Sequence, residues 1–323
     1  MLLKLRNIGM IREADVHIDG LTVIAGENDT GKSTVGKSLF VLAKAKLFAK
    51  GEEQSYLQKI EWLFEKISQG QLLQTKSSMI LDDIEVDLSK QRANPGNKKF
   101  LDAVFIETPF IFNLYRTLTA ISKANSVLDF DIPYNYLWWD LYIKLSQKAK
   151  TFSKLDFTDI KNEIERETKS RFKRYETLGK DKWVMLREEK EIEMENVAMG
   201  IKQFAIIYAL IENGYLTSDR IIIFDEPEVH LHPKWQLKMA EIIVALVKNG
   251  VKIIVNSHSP YMIEALQRYS EKEKIRADFY LAEDGDIRKV NNSNEETLSE
   301  IFGKLSEPFK VFEEMEMTRL LNG

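Results

Sequence analysis

The residues best equipped for chemistry crowd into "RIIIFDEPEVHLHPKWQ", Arg220 to Gln236, where Asp225, Glu226, Glu228, His230 and His232 follow a run of isoleucines. Two chemistries fit these letters. Acids beside a His-x-His pair have metal-ligand spacing, and zinc on His230 and His232 would imply a hydrolase or nuclease. An apolar strand ending in Asp-Glu is also the cation-and-water half of a nucleotide site, if a phosphate-binding half exists elsewhere.

That other half lies far upstream. "GENDTGKST", Gly26 to Thr34, contains G-x-x-x-x-G-K-[ST] between the apolar run "LTVIA" and a helical segment, the context the motif requires. Gly26 and Gly31 let the backbone curl, so the N–H groups of Asn28, Asp29, Thr30 and Thr34 and the following helix N-terminus can cradle phosphates. Lys32 is expected to reach the β/γ-phosphates of ATP, and the Ser33 hydroxyl to ligate Mg²⁺. Asp225 then becomes the residue that holds Mg²⁺ through water, and Glu226 the group that polarises the attacking water. Adjacent strand residues point to opposite faces, so a turn must swing the Glu226 carboxylate toward the γ-phosphate. The zinc reading becomes the minor one.

Two further segments join this pair. "VKIIVNSHSP" places His258 at the end of the next apolar strand, where an imidazole can donate to a phosphate oxygen or hold the attacking water. "NVAMGIKQF" opens a helix at Gly200, whose N–H groups can face the γ-phosphate of a nucleotide bound elsewhere.

These residues need a scaffold. The chain has 323 residues, 44% hydrophobic and 30% charged, as in a globular protein with one large or two modest cores. A net charge of −4 excludes a global basic field, and the absence of cysteine excludes disulfides and thiolate chemistry. The N-terminus lacks a signal-peptide core and no apolar run approaches bilayer length, so a cytoplasmic protein without membrane partners is expected. The first 25 residues read as three short strands. From Thr34 the period turns helical, and residues 50 to 165 read as mostly helical and polar, with a buried strand in "FLDAVFIETPFIF". "RFKRYETLGKDKWVMLREE" reads as a hairpin turning near "LGKDK", then a short strand "EIEMENV". Helix, strand, helix and strand follow, with β-branched apolar strands, which predicts a mostly parallel sheet flanked by helices. The expected division is an α/β domain over 1–48 and 170–323, interrupted by a mainly helical insertion over 49–169 that contributes one core strand near 102–107.

Taken together, the motifs resemble the ABC-type ATPases of the SMC, RecF and OLD-like group, across residues 1–48 and about 170–270. "GENDTGKST" is similar to the group's G-x-N-x-x-G-K-S-T loop, "FDEPEVHLHPKWQ" to its DEPE..LHP..Q stretch, and "NSHSPYMI" to its THSP..I switch. The resemblance implies a P-loop NTPase fold of ABC-ATPase type with an antiparallel β lobe. It implies Glu226 as catalytic base, His258 as switch histidine, and two heads closing head-to-tail around ATP. Gly200 and Lys202 then face the ATP of the partner head, with His232 and Pro233 at the dimer interface. Ala198 stands where the family has a signature serine, which implies slow turnover, and Gly9 stands where an arginine is common. Glu107 or Thr108 takes the place of the family's metal-linking glutamine.

The insertion is too short for an SMC coiled coil, and the segment after His258 too short for the nuclease fused to OLD proteins. Asp284 and Asp286 read as turn formers. Stand-alone ATPases of this resemblance imply anti-phage or abortive-infection systems, in which a separate nuclease or toxin is the effector. The alternative is a DNA-repair clamp gripping duplex DNA, through a basic excess over 140–190 with Trp138, Trp139, Phe152, Phe157 and Phe172 nearby. A transporter motor is a third, lesser reading.

Overall fold

Strands Leu21–Ala25 and Arg220–Asp225 are buried at every position, which requires side-chain cover on both faces of the sheet they share. A computed structural model of the chain describes residues 1–49, 53–97, 102–128, 135–150, 155–175 and 182–321. In chain order, β1 (Leu2–Ile8), β2 (Ile11–His17) and β3 (Leu21–Ala25) precede α1 (Lys32–Ala49) and α2 (Glu53–Ser68). Then come β4 (Leu73–Leu81), β5 (Ile84–Asp87), β6 (Arg92–Asn94), β7 (Asp102–Ile106), α3 (Ile111–Leu128), α4 (Tyr136–Ser146) and α5 (Thr158–Thr168). A second series runs β8 (Arg171–Tyr175), β9 (Lys182–Arg187), β10 (Lys190–Glu193), α6 (Met199–Glu212), β11 (Arg220–Asp225), α7 (Pro233–Lys248) and β12 (Lys252–Ser257). The chain closes with α8 (Pro260–Glu273), β13 (Ala277–Glu283), β14 (Asp286–Arg288) and α9 (Asn294–Leu321).

The main sheet has the order β6-β5-β4-β1-β2-β14-β13-β3-β12-β11-β7. From β13 to β7 every pairing is parallel, and from β6 to β2 every pairing is antiparallel. This is the expected α/β fold with an antiparallel lobe. A separate antiparallel sheet, β10-β9-β8, packs Phe172, Trp183 and Met185 into the core beside α6. The turn expected near "LGKDK" lies outside the described residues.

Strand alternation divides the core in two. Val23, Val104, Ile222, Phe224, Ile253 and Val255 meet α6, α7 and α8 on one face. Ile24, Phe105, Ile221, Ile223 and Ile254 meet α1 and α2 on the other. Gly36 lets α1 lie close on this second face, because a Cβ there would sit 2.7 Å from Ile223 Cγ2 and 2.9 Å from Phe105 Cε2.

One expectation fails within residues 50–165. Residues 73–94, read as helical, form β4, β5 and β6 and extend the sheet from the β1 edge. The start of β4 is polar, "QTKSS", with Gln74, Thr75 and Lys76 exposed, so it carries little apolar pattern. Pairing with β1 from Leu3 to Ile8, rather than local propensity, makes it a strand.

α1 and α4 are joined through a buried charge cluster. Lys44 Nζ lies 2.6 Å from both Asp102 Oδ1 and Asp140 Oδ1, and Lys144 pairs with Asp140 and, at 3.4 Å, with Asp102. Two ammonium groups thus share two carboxylates away from water. Burial opposes the charge on Lys144 and lowers its pKa to about 8, whereas the two aspartates hold Lys44 above its ordinary value despite burial.

Candidate functional site

Parallel strands bring their carboxyl ends to one edge, the usual place for ligands in such sheets. Ala25 is level with Ser257, and Asp225 with Asn256. Phe224 pairs with Ile106, so Glu107 emerges beside Asp225. The structure therefore gathers the loop after β3, the acids ending β11 and the segment ending β12, as their separate motifs predict.

In the loop from Gly26 to Thr34, Asp29 and Gly31 take left-handed backbone, φ 60° and 92°. Glu27, Asn28 and Asp29 are exposed, while Lys32 and Thr34 are buried. Lys32 Nζ donates to Gly26 O at 2.9 Å and to Glu27 O, folding the ammonium back over its own loop. Burial lowers the Lys32 pKa, and the nearby charges of Glu226, Asp225, Glu228 and Asp29 oppose that shift.

Ser33 Oγ and Asn256 Nδ2 donate to the same oxygen, Asp225 Oδ1, at 2.9 and 2.8 Å. Burial raises the Asp225 pKa despite both bonds. A hard cation fits here: oxygen donors converge, and a positive charge would relieve the penalty on the buried carboxylate. Glu107 closes the edge, its Oε2 accepting from Trp138 Nε1 at 2.7 Å and its Oε1 lying 3.7 Å from Lys37 Nζ.

The turn needed at Glu226 is present. Glu226 has φ 53°, and its N–H donates to Asn256 O at 2.9 Å. Left-handed backbone at a non-glycine residue costs on the order of 1 kcal/mol, so its neighbours must impose it. Its carboxylate meets His258 Nδ1 at 3.2 Å. That bond lowers the Glu226 pKa and raises that of His258.

His230 and His232 do not converge with these groups. Both are exposed, and His232 Nδ1 accepts from Lys234 N at the start of α7, where Pro233 takes the first helical position. Among the described residues no group of three His, Asp or Glu side chains is arranged to hold a metal. Gly200 lies in the first turn of α6, against His230 O and the Trp235 ring. Lys202 is 1% exposed, and its Nζ donates to Asn113 Oδ1 at 2.7 Å and Glu195 O at 3.0 Å. Within the chain these bonds anchor Lys202 at the start of α6. Asp286 accepts from Arg12, and Asp284 and Gly285 form the β13–β14 turn with φ 46° and 82°.

Two residues were missed as site groups. Asn256, fully buried, is the polar ending of an apolar strand, a signal visible in "VKIIVNS". Glu228, also buried, accepts at Oε1 from Ser257 Oγ at 2.7 Å, His258 N at 3.0 Å and Ser259 N at 3.2 Å.

The chain is similar to several known proteins. Residues 182–264 match the AAA_21 family, described as "AAA domain, putative AbiEii toxin, Type IV TA system". The Septu protein PtuA of Bacillus thuringiensis is 25% identical over 303 residues, covering 81% of this chain and 72% of that protein. Among solved structures, an SMC head bound to the C-winged helix domain of ScpA is similar over 90% of this chain and 96% of its own, at 13% identity and a TM-score of 0.49. The recombination mediator RecF matches over 90% and 97%, at 10% identity and a TM-score of 0.46. No described helix is long and apolar enough to cross a membrane.

Proposed function

We propose that this chain is an ATP-binding and ATP-hydrolysing switch that closes head-to-tail as a homodimer around ATP and controls a separate effector, a nuclease or toxin, in anti-phage defence. The observation that carries the reading is the meeting of Lys32, Ser33, Asp225, Glu226 and His258 at the ends of β3, β11 and β12. Similarity to a Septu protein and to a family described by a toxin–antitoxin system supports the defence setting.

In this reading the loop N–H groups and Lys32 bind the β- and γ-phosphates. Ser33 and Asp225 hold Mg²⁺, which when bound neutralises charge on the phosphate oxygens. Glu226 orients the attacking water and accepts its proton, and His258 holds Glu226 in place and faces the γ-phosphate. In this reading Gly200, in the first turn of α6, serves the nucleotide of a second copy. Each head then carries an incomplete site, and two heads complete both.

The duplex-DNA clamp loses support on charge. Many of the basic residues between 140 and 190 are engaged within the chain. Lys161 pairs with Glu212, Arg166 with Glu163, and Lys182 with Glu191 and Glu193. Arg174 and Arg187 donate to backbone carbonyls.

Glu226→Gln tests the reading. The amide keeps the shape and loses the base, so the variant should bind ATP, hydrolyse it at least about 100-fold more slowly, and accumulate as a closed dimer visible by light scattering. Gly200→Asp should fail to close, because a carboxylate would face phosphate. Normal hydrolysis by Glu226→Gln would overturn the assignment.

A further inference from the structure

The loop after β11 and the loop after β12 are joined through one side chain. Glu228 lies on the first loop, two residues beyond Glu226, and is 4% exposed. Its Oε1 takes three donors from consecutive residues of the second loop: Ser257 Oγ, His258 N and Ser259 N. Its Oε2 is buried without a hydrogen-bond partner. A buried carboxylate that gathers its donors on one oxygen holds those donors in fixed relation to one another.

Both loops are otherwise braced from the same side. Val229 N donates to Glu226 O at 3.1 Å, and Leu231 N to Glu228 O at 2.9 Å, so the first loop is wound on itself around Glu228. Ser259 Oγ donates to Gln236 Oε1 at 2.6 Å, and Gln236 Nε2 to Leu231 O at 3.1 Å, which ties the start of α8 to α7. Between these anchors stands His258, whose backbone is held by Glu228 and whose ring meets Glu226. The His258 backbone has no other described hydrogen bond to the β11 loop.

We propose that Glu228 is a positioning residue for hydrolysis: its carboxylate fixes the His258 backbone so that the imidazole stays against Glu226, and it makes the acid loop and the histidine loop move as one body. The inference rests on the hydrolytic reading of Glu226 and His258 and adds a residue to it. Glu228 does not touch nucleotide. It acts through His258, so its loss should slow turnover without weakening ATP binding. The plain alternative is a carboxylate that merely caps α8, which would affect folding and leave turnover per folded molecule intact.

The test is a rate-and-affinity comparison on the full chain, with folded fraction measured by thermal melting. Glu228→Ala should lower kcat about 10- to 100-fold while KM and ATP affinity stay within about threefold. In a His258→Ala background the same change should cost no more than about twofold further, because the two residues act in series. Glu228→Gln keeps an acceptor oxygen at the same reach and should recover most of the lost rate. Where Glu228→Ala fails to fold, the contrast between Glu228→Gln and Glu228→Asp decides. Asp withdraws the acceptor by one methylene, so a slow Asp variant beside a fast Gln variant supports the proposal, and equal rates overturn it. Losses that multiply with His258→Ala, or ATP affinity that falls in step with kcat, also overturn it. A normal rate in Glu228→Ala beside an inactive Glu226→Gln removes this proposal alone. A normal rate in Glu226→Gln removes the hydrolytic reading and this inference with it.

Discussion

Ser33 Oγ donates to Asp225 Oδ1 across 2.9 Å, although 192 residues separate them in the chain. Burial works against the Asp225 charge, a penalty that a cation bound beside the pair would relieve. Asp225→Asn should leave metal-free nucleotide binding within about threefold and abolish at least about 100-fold of the Mg²⁺-dependent hydrolysis. Titrating Mg²⁺ against rate checks this, and an unshifted Mg²⁺ response in the variant would remove Asp225 from the metal site.

Lys32 donates to Gly26 O and Glu27 O, so the loop holds its ammonium within reach of any incoming phosphate. Lys32→Ala should weaken ATP binding at least about tenfold, the loss of a charge-assisted contact worth about 1.5–3 kcal/mol. Lys32→Arg should not rescue it, because a planar guanidinium does not fit a slot shaped for a compact ammonium. Calorimetry with ATP measures both, and near-normal affinity in either variant contradicts the phosphate-loop assignment.

The Glu226–His258 bond predicts a pH signature in the nucleotide-free protein. His258 has its pKa raised above 6.5 by Glu226, so its stabilisation is full below 6.5 and lost as pH rises through the folded value. Glu226 has its pKa lowered below 4.5 by His258, so its stabilisation is full above 4.5 and lost as pH falls through the folded value. Both contributions coexist between 4.5 and 6.5. Both side chains are about a third exposed, so solvent screening holds the effect to about 0.5 kcal/mol. The melting difference between wild type and His258→Gln should be largest in that window and shrink toward alkaline pH. A difference that grows above neutrality contradicts the pairing.

The cluster of Lys44, Asp102, Asp140 and Lys144 gives a stability prediction of two signs. Asp140→Ala leaves two buried ammonium groups with Asp102 as their one shared carboxylate and should cost about 3–5 kcal/mol. Replacing all four with Met, Leu, Leu and Met removes the charges together and should be neutral or stabilising by about 1–4 kcal/mol. Urea unfolding of both variants measures the contrast. An Asp140→Ala protein as stable as wild type would mean that water reaches the cluster.

The parts legible in the sequence were those whose pattern is set by local chemistry. Gly26–Thr34 declares itself because a phosphate loop tolerates few substitutions, and β3, β11 and β12 because burial on both faces demands unbroken apolar runs. Asp225, Glu226 and His258 follow as the polar residues that end those runs. What stayed hidden depends on partners distant in sequence. β4 is a strand because β1 offers it an edge, and its own letters are too polar to say so. Lys202 donates to Asn113 of α3, a partner 89 residues away that the letters around it do not show. Glu107 and Trp138 are unremarkable apart, and their bond exists only because α4 crosses the end of β7. Glu228 was visible as an acid, yet nothing in the letters shows that its oxygen collects three donors from the loop after β12.

The sheet order has a consequence for how the protein comes into being. β3, which leads into the phosphate loop, takes as neighbours residues 252–257 and 277–283, both made long after it. At about 5–20 residues per second on the ribosome, the loop therefore waits on the order of ten to fifty seconds for its acids and histidine. Until then the β3 edges have no mates, and the chain holds a lysine and a serine with nothing to work against. The proposed ATP site is complete only once these distant strands close the parallel core. A chain stopped short of residue 252 has the loop and lacks both strands that flank β3.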